Sequence, residues 1–279
     1  MKKIHIIFII IIAILSFSVI AYHGFKYTRG VPVVVEERKN PIVEVHFLNK
    51  IINLDKGIDE SFWSSRPSKK IELLYQMMVI PWPKKGIPDL EVKAFRNRTD
   101  IYIYLEWSDV TRDGILQINE FTDASAVLFP LGKNPQTSTL MMGFLGKANI
   151  WHWRADQDSE YWLKRKIESK AYVDFYYPFE EEELFIVSKE KYDSAANDLL
   201  AIRVGTVTKK PLQNVEGRGI YSDGTWRVVF KRALNAIDAK TDAQFSTGKQ
   251  LCAFAVWNGS KGDRGGRKSI SDWVELEIK

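Results

Sequence analysis

From about residue 41 onward, hydrophobic positions recur at every second residue in short runs: "IVEVHFL", "LEVKAFRN", "DIYIYLEW", "ASAVLFP", "ANIWHWR", "LLAIRVGTV", "TWRVVFKR", "LCAFAVWN" and "WVELEI". A period of two places successive side chains on opposite faces of a strand, and the β-branched and aromatic residues in these runs favour that conformation. Turn residues fall between them. Asn97 to Asp100 separates two runs as a hairpin turn would, and Asp223-Gly224 leads into "TWRVVFKR". Many strands with few helical stretches predict an all-β chain, and within that class a β-sandwich. One segment breaks the pattern. Between Asp156 and about Asn197 charge density rises through "WLKRKIESK" and the acidic run Glu180 to Glu183, which reads as a solvated face. The aromatic "YVDFYYPF" within it predicts a loop insertion that packs against the sandwich or a partner.

The N-terminus has a different texture. "MKK" precedes an apolar run from Ile4 to about Tyr22, close to the roughly 20 residues that cross a bilayer. It reads as a hydrophobic helix, either a signal peptide, with Val19 and Ala21 as the small residues of a cleavage site, or a retained membrane anchor. In both cases Lys2 and Lys3 stay cytoplasmic and the rest of the chain is extracytoplasmic, periplasmic or equivalent. The expected organisation is therefore a signal or anchor over 1–30, a linker over 31–40 and a folded domain over 41–279.

Composition narrows the function. Of the 279 residues 45% are hydrophobic and 13% aromatic, with nine Trp, enough for a sizeable core and suited to sheets and ligand pockets. The net charge of +5 is scattered among acidic residues, which argues against nucleic acid as a partner. Cys252 is the single cysteine, so this chain alone builds no disulfide, zinc cluster, iron–sulfur cluster or covalent haem attachment. Between Leu251 and Ala253 it reads as a small buried apolar residue.

Candidate chemistry gathers around "TLMMGFLGKANIWHWRAD". In the strand "NIWHWR", Ile150, His152 and Arg154 share one face while Trp151 and Trp153 share the other. The two Trp are either a packed core layer or a wall for a large flat ligand. Met141 and Met142 offer thioethers, soft ligands suited to haem iron or copper, ahead of a glycine that lets a bulky group approach. As adjacent methionines they read equally as adaptable packing. His152 is the rival ligand, although a lone strand histidine is more often structural. The glycine-rich "GSKGDRGGRKSIS" follows a strand and opens no helix, so it is not read as a phosphate loop. Lys268 within it would serve as a metal ligand only with its amine held neutral.

Several of these motifs occur in one order: "FTDASAVLFP", "NIWHWRAD", "VEGRGIYSDGTWRVVFKRAL" and "AFAVWNGSKGDRGGRKSISDW", with "LEWSDVTRDG" before them. From about Pro41 to the C-terminus the chain resembles the haem b (γ) subunits of the type II dimethyl sulfoxide reductase family. These include the γ subunits of ethylbenzene dehydrogenase, nitrite oxidoreductase, and chlorate and selenate reductases. The resemblance implies a sandwich like a family 9 carbohydrate-binding module holding one b-type haem. Met142 and Lys268 stand at the positions of its axial ligands, with Met141 and His152 as alternatives, and Trp151 and Trp153 as wall or support residues. It implies a non-catalytic electron-transfer subunit of an oxidoreductase complex. Its partners would be a molybdenum catalytic subunit, an iron–sulfur subunit and an electron carrier such as a cytochrome c, with residues 4–22 as a possible membrane contact. The competing readings are a haem-free carbohydrate-binding module and a membrane-anchored scaffold.

Overall fold

The alternating runs become strands. The computed structural model describes residues 39–76, 87, 89–116, 119–132, 146–163, 192–203, 205–235 and 237–279, within which Asn40–Lys279 form one unit. Its strands are β1 (Ile42–Phe47), β2 (Lys69–Glu72), β3 (Leu74–Tyr75), β4 (Asp89–Arg96), β5 (Asp100–Ser108), β6 (Ala124–Pro130) and β7 (Ala148–Arg154). They continue with β8 (Ala196–Ala201), β9 (Val207–Lys209), β10 (Val215–Ser222), β11 (Thr225–Ala233), β12 (Gly248–Trp257), β13 (Ser269–Ile270) and β14 (Val274–Ile278). Two short helices interrupt them, α1 (Glu60–Ser64) and α2 (Ala155–Leu163).

The strands follow one path, β10-β11-β5-β4-β1-β14-β12-β6-β7-β8-β9, and form the two layers of a β-sandwich. β12 belongs to both layers: Gly248 to Cys252 pair with β14, and Ala253 to Trp257 pair with β6. Pairing is antiparallel except where β1 runs parallel to β4 and β14. We refer to the layer from β10 to β14 as the first sheet and that from β6 to β9 as the second.

Both turns expected from the sequence are present. Asn97 Oδ1 accepts from the backbone N–H groups of Thr99 and Asp100 between β4 and β5. Asp223 (φ 52°) and Gly224 (φ 69°) are both left-handed, as a two-residue hairpin between β10 and β11 requires. One expected strand, "LLAIRVGTV", is instead split: β8 ends at Ala201 and β9 starts at Val207, because Gly205 (φ 77°) turns the chain back into a hairpin. Three short pairings, β2, β3 and β13, have no run long enough to show alternation.

The core lies between the sheets. Trp107, Val228 and Phe230 of the first sheet meet Val127, Trp151 and Trp153 of the second. Trp153 meets Trp107 edge-on at 6.4 Å and Trp226 at 5.0 Å. The two glycines of "VEGRG" make this possible. A methyl group on Gly219 would lie 2.1 Å from the Trp153 ring, and one on Gly217 would lie 2.7 Å from Ala196 Cβ. The bulk of Trp153 is thus matched by side chains omitted on β10. Cys252 is wholly buried in this core, and burial pushes its thiol well above the usual range, so it is an inert packing residue.

Among the described residues no helix is long and apolar enough to cross a membrane. The apolar run at residues 4–22 lies outside them, as do Met141, Met142 and the acidic run Glu180 to Glu183.

Candidate functional site

The outward face of the second sheet follows from alternation. Because Val127, Phe129, Trp151 and Trp153 turn inward, Ala126, Leu128, Ile150 and His152 turn outward. The register aligns them in rows: Ala255, Ala126, His152 and Asn197 form one, and Ala253, Leu128, Ile150 and Leu199 the next. Ile270 continues the first row, and Ile270 and Trp273 join Ala148, Ala201 and Ala253 in one apolar cluster. Alanine recurs where other strand faces carry bulk. The result is a largely apolar floor on which alanines alternate with Leu128, Ile150 and Leu199.

Lys268 stands at one end of this floor. It precedes β13, so its strand neighbours bring it beside Trp257, whose partner across the ladder is Ala124. The amine lies 5.0 Å from the centre of the Trp257 ring, and Nζ donates to the Gly265 carbonyl at 3.2 Å. No ion pair among the described residues includes it, in contrast to Lys210, which bonds the carboxylates of Asp198 and Asp242. Burial holds the Lys268 amine at about 8, below the usual lysine range. A ligating amine must lose its proton, and a half-buried lysine with no carboxylate to hold that proton suits the task.

His152 shares this face and meets Trp257 edge-on at 5.1 Å. Burial, followed by the positive charges of Arg154 and Lys268, pushes its imidazole down to about 3, so it is neutral at ordinary pH. Trp151 and Trp153 lie on the other face. Trp151 Nε1 donates to Asn149 Oδ1 at 3.2 Å and Trp153 Nε1 to Asp158 Oδ1 at 2.8 Å, and both rings are fully enclosed between the sheets. They form the core layer that their spacing allowed. They back the strand whose other face carries Ile150 and His152.

The segment carrying Met141 and Met142 lies outside the described residues, but its two ends do not. Leu131 N donates to the Lys147 carbonyl at 2.9 Å, and Pro130 pairs with Ala148. The described ends of this segment therefore lie at the end of the second sheet opposite Lys268.

The loop bearing Lys268 is clamped at its base by three carboxylates, of which Asp109 and Asp123 are buried. Asp109 accepts from Asn258 Nδ2 at 2.8 Å, Asp123 from the Gly259 N–H at 2.9 Å and Asp113 from the Ser260 N–H at 2.9 Å. Asp123 also accepts from Trp226 Nε1, and burial lifts its carboxyl to about 7. A methyl group on Gly259 would sit 2.0 Å from the Phe121 carbonyl, so only glycine brings the loop this close. Further out, Asp263 accepts from Tyr75 Oη at 2.9 Å and lies 3.6 Å from Arg267. The carboxylates of "LEWSDVTRDG" and "FTD" thus hold the start of the loop, and among the described residues none of them pairs with Lys268. Among the described residues no cluster of three or more His, Cys, Asp or Glu side chains could hold a metal ion.

The family model described as ethylbenzene dehydrogenase matches residues 60–269. The chain belongs to the ethylbenzene dehydrogenase family. The matched region contains Ala126, Ala253, Ala255, the two methionines and Lys268. Curated relatives agree with this placement. A Haloferax mediterranei chain named as a respiratory nitrate reductase heme subunit is 30% identical over 217 residues, 77% of this chain and 65% of that one. This chain thus spans a little under two thirds of that relative's length. The chlorate reductase subunit gamma of Ideonella dechloratans is 24% identical, covering 77% of each chain. The dimethylsulfide dehydrogenase subunit gamma of Rhodovulum sulfidophilum is 25% identical, covering 77% of this chain and 72% of its own. Among solved structures, a family 9 carbohydrate-binding module from Caldicellulosiruptor kristjanssonii in complex with glucose aligns over 85% of this chain and 95% of its own. Its TM-score is 0.44 and its identity 9%. The family expected from the order of the motifs is the family found.

Proposed function

We propose that this member of the ethylbenzene dehydrogenase family is an electron-transfer subunit carrying one b-type haem, with Met142 and Lys268 as the axial ligands of the iron. The observation that carries the reading is Lys268: a lysine amine without a carboxylate partner among the described residues, at the edge of a flat alanine floor. Relatives named as heme and gamma subunits support it. When bound, the haem supplies one-electron chemistry, and filling both axial positions leaves no open site for substrate.

The residues of this chain then have definite tasks. Ala126, Ala253 and Ala255 leave room for a flat ring, while Leu128 and Ile150 exclude water from its face. Trp151 and Trp153 stiffen the strand from behind. Neutral His152 puts no second charge beside the lysine. Asp109, Asp113 and Asp123 anchor the loop that aims it. With a single buried cysteine the chain contributes no iron–sulfur cluster. The molybdenum and iron–sulfur centres of the complex therefore belong to partner subunits, and an external carrier such as a cytochrome c exchanges electrons with the haem. The N-terminal apolar run supports a position outside the cytoplasm, by secretion or by anchoring.

The test is the reduced-minus-oxidised absorption spectrum of the chain from about residue 31, expressed with haem supplied, followed by a pyridine haemochrome assay. A stoichiometric low-spin b-type signal is expected. If no haem is found here or in the chain isolated with its native partners, the relay is overturned in favour of a haem-free binding module or scaffold.

A further inference from the structure

Lys268 is held by more than its own loop. The indole of Trp257, the last residue of β12, touches three elements of the site at once. Its ring lies 5.0 Å beneath the Lys268 amine, its edge faces His152 at 5.1 Å, and its Nε1 donates to the Gly265 carbonyl at 3.0 Å. That carbonyl is the same one that accepts from Lys268 Nζ. Gly265 (φ 52°) is left-handed, so the turn that presents its carbonyl to both donors is one glycine readily adopts. The loop is thus tied to the floor at a point three residues before the lysine, by the side chain on which the lysine rests.

We propose that Trp257 is the positioning residue of Lys268: its Nε1–H pins the loop at Gly265, and its ring face seats the lysine side chain so that the amine meets the alanine floor. The arrangement gives the amine a resting place that is polarisable but not acidic. A carboxylate there would compete with any metal for the amine, as Asp198 and Asp242 do for Lys210. A carbonyl and a ring face are weaker partners than a carboxylate. They orient the side chain while leaving its nitrogen easy to redirect. The part of this inference that concerns a metal rests on the haem reading above; the seating of Lys268 on Trp257 does not.

Two measurements on the full chain separate them. In the haem-free protein, lysines are reductively dimethylated with labelled formaldehyde, and the Lys268 methyl resonance is assigned by its absence in Lys268→Arg. Seating over an indole predicts an upfield ring-current shift, lost in Trp257→Leu and retained in part in Trp257→Phe, which keeps a ring face but not the N–H. In the haem-loaded protein, Trp257→Leu is expected to lose low-spin signal to a mixed-spin spectrum, with Trp257→Phe partly rescuing it. Far-ultraviolet circular dichroism checks that both variants are folded. A wild-type Lys268 resonance with no upfield shift, or one unchanged in Trp257→Leu, overturns the positioning role whatever the haem does. If the shift behaves as expected but wild-type protein binds no haem, the seating stands and the haem reading alone fails. A low-spin spectrum unaltered in Trp257→Leu would show that the seat has no bearing on ligation and overturn that part of the inference.

Discussion

The two outer faces of the sandwich are built from the same kind of strand and have opposite fates. On the first sheet the outward positions are Phe95, Tyr102, Tyr104 and Val229, and the chain's own residues 48–63 fold over them. Trp63 of α1 stacks on Tyr104 at 4.8 Å, Phe95 stacks on Tyr102 at 4.5 Å, and Lys93 Nζ donates to the Trp63 carbonyl at 3.0 Å. On the second sheet Ala126, Ala253 and Ala255 stand beside Leu128, Ile150 and Leu199 on the outward side, and the polar groups there include Asn197, the neutral His152 and, at one end, Lys268. Large aromatic side chains interlock with a covering segment and make a second core. Small ones make a floor, and a floor is what a flat cofactor needs.

That contrast can be broken at several points. The largest effect is expected at the proposed ligands: Lys268→Ala or Met142→Ala is expected to abolish the low-spin haem spectrum, while His152→Ala leaves it intact, as read by absorption and electron paramagnetic resonance. Filling the floor is the next test. Ala126→Phe places a ring on it, so haem stoichiometry by pyridine haemochrome falls at least about ten-fold while the fold persists by circular dichroism. The covered face should respond in the opposite way. Trp63→Ala removes a fully buried ring and costs about 3–5 kcal/mol in urea unfolding without altering the haem spectrum of the folded protein. Gly219→Ala pushes a methyl group against Trp153 and costs about 1–3 kcal/mol by the same measurement.

The smallest effect concerns pH. Burial lifts Asp158 to about 6, above the roughly 3.9 of an unfolded chain, despite the bonds it accepts from Trp153 and Gly219. Between those values the folded state binds more protons than the unfolded state. Its contribution to stability is therefore full below about pH 4 and is lost as pH rises through 6, by on the order of 3 kcal/mol. Unfolding midpoints between pH 4 and 7 should fall less steeply in Asp158→Asn, which keeps the acceptor oxygen and removes the titration.

Much of this was legible in the chain, because alternation is a local property. The nine runs that alternate or carry β-branched and aromatic residues located most of the long strands, and Asn97 and Asp223-Gly224 marked two of the hairpins. The same alternation already separated Trp151 and Trp153 from His152. The order of the motifs was sufficient to identify the family. The alanines were equally visible, two residues apart at 124 and 126 in "ASAVLFP" and at 253 and 255 in "LCAFAVWN", but small residues attract no notice until a neighbour across the ladder proves to be small as well.

What only the tertiary structure decided is which face of each strand is covered, and by what. No pattern in "LEWSDVTRDG" says that Asp109 and Asp113 reach loop residues about 150 positions later, yet Asn258 Nδ2 and the Ser260 N–H are where their carboxylates end. Nor does "AFAVWN" say that Trp257 underlies Lys268 and pins Gly265. Sequence specifies the period of a strand and the bulk of its side chains, which are properties of neighbours along the chain. Pairings between distant segments depend on register and on how the sheets close over one another. The lysine's seat is built from such pairings, and so it came into view only with the fold.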